Sequence, residues 1–234
     1  MADLFKWRKF DRDVITLCVR WYLRYSLSYR NITEMILERG ISVEASTIYR
    51  WVQKYAPILE EKSRPHLKKS NGSYRVDETY IKIKGEWKYL YRAVDKEGQT
   101  IDFYLSHTRD WSAAETFFKK ALKQPHVTEP YVINVDKNAA YPVAVNSLQY
   151  LGHLSKECRL RQVKYLNNGI ESDHRFVKKQ CQHKQWFRNW KSAVNTISGY
   201  EIMHMIKKGQ LKQVSKGDVI AQNKFIEKLF SEAA

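Results

Sequence analysis

Between residues 60 and 74 the apolar residues of this chain change period, which limits it to two differently built parts. Before the change they recur at helical spacing. Ile48, Trp51, Val52 and Tyr55 stand at i, i+3, i+4 and i+7, a stripe that a helix gathers on one side. After the change, residues 74–83 form a run of β-branched and aromatic residues, the composition of a strand. The polar stretch 61–73, with Pro65 and Gly72, reads as the linker between the two parts.

Three helices are expected in domain 1–60. The first runs from a cap at Asp11 or Asp13 to about Tyr25, with Val14, Ile15, Cys18, Trp21 and Tyr22 inward. Ser28 caps the second, which turns Ile32, Met35 and Ile36 inward and stops at Arg39 before Gly40. The third spans 44–55 and is closed by Pro57. Its outward face holds Ser46, Thr47, Arg50 and Lys54. A tight joint before a last helix of this polarity is the pattern of a helix-turn-helix unit. In such a unit Ser46, Thr47 and Arg50 meet base edges of double-stranded DNA, and Lys54 meets phosphate. A small helical bundle with no ligand has the same periodicity.

Beyond the linker, strands are expected over 74–83, 87–94 and 100–105, with turns at Lys84-Gly85-Glu86 and at Asp95-Lys-Glu-Gly98. A helix over 112–122, a strand over 131–135, a helix over 142–151 and a strand over 162–166 follow. Helices over 170–184 and 192–208 complete the series. This is the element order of a ribonuclease H-like α/β domain with a mixed five-stranded sheet, over 74–210, leaving 211–234 as a tail.

The formal net charge is +16, from 41 Lys and Arg against 25 Asp and Glu in 234 residues. Nucleic acid is the favoured partner for such a chain, because each phosphate contact by Lys or Arg releases counterions. The excess concentrates between 156 and 191, where ten basic residues are interrupted only by Glu157, Glu171 and Asp173. A hydrophobic share of 43% excludes general disorder. No apolar run approaches the roughly 18 residues of a spanning helix, so no membrane is involved. The N-terminal basic residues precede no apolar segment, so no secretory signal is expected. Cys18, Cys158 and Cys181 are far apart and form no CxxC pair. That argues against a disulfide framework or structural zinc and for a reducing cytoplasm.

Three acids fall where this fold brings carboxylates together. Asp77 lies within the first strand, Asp136 ends the fourth and Glu171 opens the long helix. An Asp inside an otherwise buried strand is costly unless it is paired, hydrogen-bonded or bound to a cation. Singly, each has an ordinary use: an edge-strand surface residue, a turn former and a first-turn helix anion. Glu78 is expected on the opposite face of the strand from Asp77, and Asp173 on another side of the helix from Glu171. Lys178 follows Glu171 by seven residues and returns to nearly the same face.

Asp136 and Glu171 have 34 residues between them. With Lys178, this spacing resembles the DDE-plus-basic-residue pattern of bacterial DDE transposases. The segments Ser46-Thr-Ile-Tyr-Arg-Trp-Val52, Val76-Asp-Glu-Thr-Tyr80, Tyr89-Leu-Tyr-Arg-Ala-Val-Asp95 and Tyr165-Leu-Asn-Asn-Gly-Ile-Glu-Ser-Asp-His174 closely resemble insertion-sequence family six. The likeness runs from about Phe5 to Leu211. It departs at Lys184-Gln-Trp-Phe-Arg-Asn-Trp190, which lacks an expected glycine, and in the tail after Leu211.

The resemblance implies a retroviral-integrase-superfamily catalytic domain. It further implies an enzyme that binds terminal inverted repeats, cuts at element ends and joins the freed 3′-OH to target DNA, with replicative cointegrates as products. Asp77, Asp136 and Glu171 would hold two Mg²⁺ ions, for which Mn²⁺ substitutes, and Lys178 would contact phosphate at the scissile bond. Pairing two ends implies a homodimer or higher homo-oligomer, acting in a bacterial cytoplasm at the nucleoid. A non-catalytic DNA-binding regulator, a decayed copy and a hydrolytic nuclease are the competing readings. His174 shares Glu171's side of the helix, and a structural or DNA-contacting use is commoner there than a catalytic one. Cys181 with His183 lacks further ligands at zinc spacing. Trp186, Phe187 and Trp190, set among Lys184, Arg188 and Lys191, suit either helix packing, the commoner use, or stacking on unpaired bases.

Overall fold

The computed structural model describes residue 5 and residues 9–163 and 168–231, with only the backbone at 168. In chain order the elements begin α1 (Arg12–Arg24), α2 (Tyr29–Leu37), α3 (Ala45–Ser63), β1 (Ser73–Ile83), β2 (Glu86–Asp95), β3 (Thr100–Ser106) and α4 (Trp111–Leu122). They continue with β4 (Val132–Val135), α5 (Ala140–Tyr150), β5 (Arg159–Gln162), α6 (Asn168–His183), α7 (Trp190–Lys207) and α8 (Val219–Ser231). Two compact units result: residues up to His66 with those from Lys179 onward, and Leu67–Lys178. Among the described residues no helix is long and apolar enough to cross a membrane.

The first unit is helical. Ser28 and Asn31 form a reciprocal capping box, with Asn31 N–H donating to Ser28 Oγ at 3.1 Å and Ser28 N–H to Asn31 Oδ1 at 2.9 Å. Gly40 supplies the left-handed residue after α2, with φ +75°. The inward stripe of α1 is Ile15, Cys18, Val19, Tyr22 and Leu23. It lies one step round from the expected one, leaving Val14 and Trp21 half-buried.

Helix α3 does not stop at Pro57 but runs on to Ser63. A proline inside a helix strands the carbonyl four residues earlier. Here that carbonyl, on Gln53, accepts from the Asn195 side chain of α7 at 3.2 Å. The longer helix buries Ala56, Leu59 and Ser63 as well. Residues 211–234, read as a tail, contain α8, whose Ile226, Leu229 and Phe230 are buried.

Gly199 is what lets α7 approach its neighbours. A Cβ there would stand 2.5 Å from Leu23 Cδ2 and 2.8 Å from Ala56 Cβ. Alanine within an exposed helix would gain about 1 kcal/mol over glycine. At this position overpacking reverses the sign, and Gly199→Ala is expected to destabilise the protein by about 1–3 kcal/mol. Urea unfolding of the variant, followed by circular dichroism, reads this as a lowered midpoint at unchanged slope.

The second unit is a five-stranded sheet in the order β3-β2-β1-β4-β5. Strands β1–β3 form an antiparallel meander, and β4 and β5 run parallel to β1. An antiparallel meander flanked by two parallel strands is the ribonuclease H-like arrangement. Lys84 and Gly85, at φ +52° and +85°, make the two-residue hairpin turn that matches sheet twist. One sheet face packs on α4 and α5 through Tyr74, Val76, Tyr91, Ile133, Phe117 and Tyr141. The last strand ends at Gln162, where the sequence suggests that it begins. Val163 continues the sheet only by donating its N–H to Val135 O at 3.1 Å, and the expected strand residues 164–166 lie outside the described ones.

Candidate active site

Strand alternation and pairing register bring acids from three elements into one region. The parallel β1–β4 register, which sets Arg75 beside Asn134, carries on to bring Asp77 level with Asp136, just past β4. One carboxylate oxygen each from Asp77, Glu78 and Asp136 lies within 4.8 Å of the others. Glu78 does leave the strand on the α5 side, as alternation requires, yet its carboxylate reaches the group at the strand edge.

Their hydrogen bonding separates these three acids. Glu78, 2% exposed in its side chain, accepts from Arg109 Nε at 2.5 Å, Asn138 Nδ2 at 3.1 Å and the Tyr141 hydroxyl at 2.5 Å. Asp136 accepts the Asn138 N–H at 2.9 Å and Arg109 at 3.2 Å. Burial alone would lower the Arg109 guanidinium, but the hydrogen bond and charge of Glu78 and the charge of Asp136 outweigh it and raise it. Burial, reinforced by the Glu78 charge, pushes the Tyr141 phenol well up, so it stays a donor.

Asp77 is held from α6. His174, 4% exposed, places Nε2 at 3.2 Å from Asp77 Oδ2 and Nδ1 at 3.4 Å from an Arg92 nitrogen. Arginine has no acceptor, so Nδ1 must accept and Nε2 carries the proton toward Asp77. Arg92 is fully buried, faces Asp77 across the β1–β2 register and pairs with Asp173 at 2.7 Å. Asp173 thus turns to Arg92 while Glu171 turns elsewhere.

Glu171, in the first turn of α6, is outside the close group of three among the described residues. It lines an open cavity of about 500 Å³ together with Asp77, Glu78, His174, Arg175 and Lys178. Asp77, Glu171 and Lys178 therefore share one cavity, and Asp136 meets them through Asp77. Sequence reasoning did not find Arg92 or Arg109. A lone arginine inside the apolar strand Tyr89-Leu-Tyr-Arg-Ala-Val was the available signal for Arg92. Arg109 stands in the loop before α4 and carried none.

In the other unit, Ser46, Arg50 and Lys54 are exposed and Thr47 is half-buried on α3. Arg50 donates to Ser46 O at 3.2 Å and to Thr47 Oγ1 at 3.3 Å, which holds these residues as one polar face.

The sequence model of a family described as a DDE domain matches residues 71–210. A transposase for the insertion sequence-like element IS431mec of Staphylococcus aureus is 43% identical over 206 residues, covering 88% of this chain and 89% of that one. The transposase for insertion sequence element IS257 in transposon Tn4003, also of Staphylococcus aureus, matches at 43% over the same shares. Among solved structures, the HTLV-2 integrase catalytic core domain, in complex with magnesium and in a dimeric form, is similar at TM-score 0.41 and 15% identity. That similarity covers 68% of this chain and 96% of that one. A domain match over most of the second unit, and relatives matched along nearly their whole length, make this chain a DDE transposase of insertion-sequence family six.

Proposed function

We propose that this transposase binds the terminal inverted repeats of an insertion sequence through α3, with Ser46, Thr47 and Arg50 at base edges and Lys54 at phosphate. Cutting and joining take place at the carboxylates of the second unit. The approach of Asp77 and Asp136 to within 4.8 Å carries the reading, supported by Glu171 and Lys178 in the cavity beside Asp77. Carboxylate oxygens are the hard donors that Mg²⁺ prefers. Because Glu78 is occupied by three donors, the remaining capacity belongs to Asp77, Asp136 and Glu171. These are the ligands for two Mg²⁺ ions, with Mn²⁺ as substitute.

Bound there, the ions would supply Lewis acidity at the attacking and leaving oxygens of an in-line displacement. Lys178 holds a non-bridging phosphate oxygen, and His174 keeps one Asp77 oxygen fixed. Each displacement forms one P–O bond and breaks one. Water first opens the strand at the element end and frees a 3′-OH. That hydroxyl then attacks target DNA, whose own 3′-oxygen leaves, so no protein–DNA bond forms. Replicative cointegrates are the products of this route. Two ends require two copies of the chain, hence a homodimer or larger homo-oligomer acting on DNA in the cytoplasm at the nucleoid.

The test incubates the parent and Asp136→Ala with labelled element-end DNA, target plasmid and Mg²⁺. Only the parent should yield joined products. Equal binding by both, with no cutting or joining by either, would make the protein a regulator or a decayed copy. Shortened strands without joined product would make it a nuclease.

A further inference from the structure

The first unit contains a second cavity, of about 510 Å³, walled by aromatic rings from α1, α2, α3, α7 and the loop after α6. Tyr22, Tyr29, Tyr49, Tyr200, Trp186 and Phe187 supply the rings. Lys184, its pKa lowered to about 7 by burial, spends its Nζ on the Tyr22 and Tyr25 carbonyls and on Gln180 Oε1. Arg188 is the exposed cation in the cavity lining, which includes no Asp or Glu among the described residues. Its mouth reaches the surface at Tyr49, 37% exposed, and at the exposed Arg188. Tyr49 is next to Arg50, so the opening adjoins the outward face of α3.

The backbone at this cavity is unusual. Gln185 and Trp186 follow each other at φ +58° and +62°, the left-handed region that side chains rarely adopt. The loop closes α6 there, with Trp186 N–H donating to Cys181 O at 2.9 Å. Glycine is the usual residue at such a terminus, and none stands between Lys184 and Trp190. A tryptophan is therefore held where the backbone favours glycine. Trp186 is half-buried and lines the cavity.

Flat aromatic walls, a cationic mouth at Arg188 and no acid in the lining among the described residues match one ligand chemistry, a nucleobase with its attached phosphate. We propose that this cavity receives an unpaired base of the DNA bound by α3, with Trp186 as its stacking face and Arg188 at the adjoining phosphate. Gln53 and Asn189, also in the lining, are engaged within the protein, Gln53 Nε2 donating to Thr196 Oγ1 at 2.9 Å and Asn189 Oδ1 accepting the Ser192 N–H at 2.8 Å, so stacking and the phosphate contact carry the binding. The inference rests on α3 as the DNA-contacting helix.

The experiment uses the full chain without divalent metal, and two duplexes of one sequence. One is fully paired and the other carries a single unpaired 2-aminopurine. The parent should bind the second about tenfold or more tightly and quench its fluorescence. Trp186→Gly should lose both the preference and the quenching, keep the affinity for paired DNA, and unfold at the same or a higher temperature because glycine relaxes the left-handed backbone. Trp186→Phe should retain most of the preference. Trp186→Gly that keeps the preference, or that lowers the unfolding temperature by several degrees, would overturn the proposal and make Trp186 a packing residue. Arg50→Ala tests the underlying reading separately. It should weaken both duplexes alike, and unchanged binding of paired DNA by that variant would remove α3 from the interface whatever Trp186 does.

Discussion

Asp77→Asn should slow the joining of element ends to target by about a thousandfold or more, while end binding and the thermal midpoint stay where they are. The amide matches the carboxylate in shape and still accepts a hydrogen bond from His174, so the packing round β1 has no reason to change. What is lost is a negative oxygen donor. Stabilisation of charge in phosphoryl displacement by a metal is worth several kcal/mol, and each 1.36 kcal/mol is a factor of ten in rate. Stability does not suffer, because Asp77 stands within 4.8 Å of two further carboxylates. Removing one of three like charges relieves repulsion. A single-turnover joining assay beside a gel-shift titration separates the two quantities. Normal joining by Asp77→Asn would take Asp77 out of the chemistry.

Its neighbour should fail in the opposite way. Glu78→Ala is expected to cost about 3 kcal/mol of stability, with joining lost only to the extent that the protein unfolds. The Glu78 carboxylate accepts from Arg109, Asn138 and Tyr141, and truncation leaves the fully buried Tyr141 hydroxyl without its acceptor. Breaking a buried ion pair costs about 3–5 kcal/mol. The lower figure applies because Arg109 is 36% exposed and water takes up part of its charge. Urea denaturation measures the loss. A Glu78→Ala protein as stable as the parent would contradict this division of labour between adjacent acids.

That division was only half legible in the sequence. Strand alternation separates the Asp77 and Glu78 side chains, and the end of β4 beside β1 follows from element order, so the meeting of Asp77 with Asp136 could be read from spacing and fold together. Glu78 returning to the same group could not, because its direction is set by Tyr141, Asn138 and Arg109, all distant in the chain. The hold of Arg92 and His174 on Asp77 is likewise long-range. No local period reports it, and a lone strand arginine is its only trace. Helices showed the same limit. Pro57 reads as a stop because the stranded Gln53 carbonyl is a local fact, whereas Asn195, which satisfies it, arrives from α7. The close seat of α7 depends on Gly199 meeting Leu23 and Ala56, and a glycine inside a helical pattern announces no such partner.

The most direct measurement is metal binding itself. Mn²⁺ titrated into the protein with element-end DNA, and followed by electron paramagnetic resonance, reports affinity without requiring turnover. Loss of an orienting contact to a metal ligand typically weakens binding about 10–100-fold, and loss of a ligand should weaken it at least as much. Asp77→Asn and Asp136→Ala should each lower Mn²⁺ affinity by tenfold or more while still binding the DNA. Parent-like Mn²⁺ binding by both variants would contradict the assignment of these carboxylates as the metal site of the transposase.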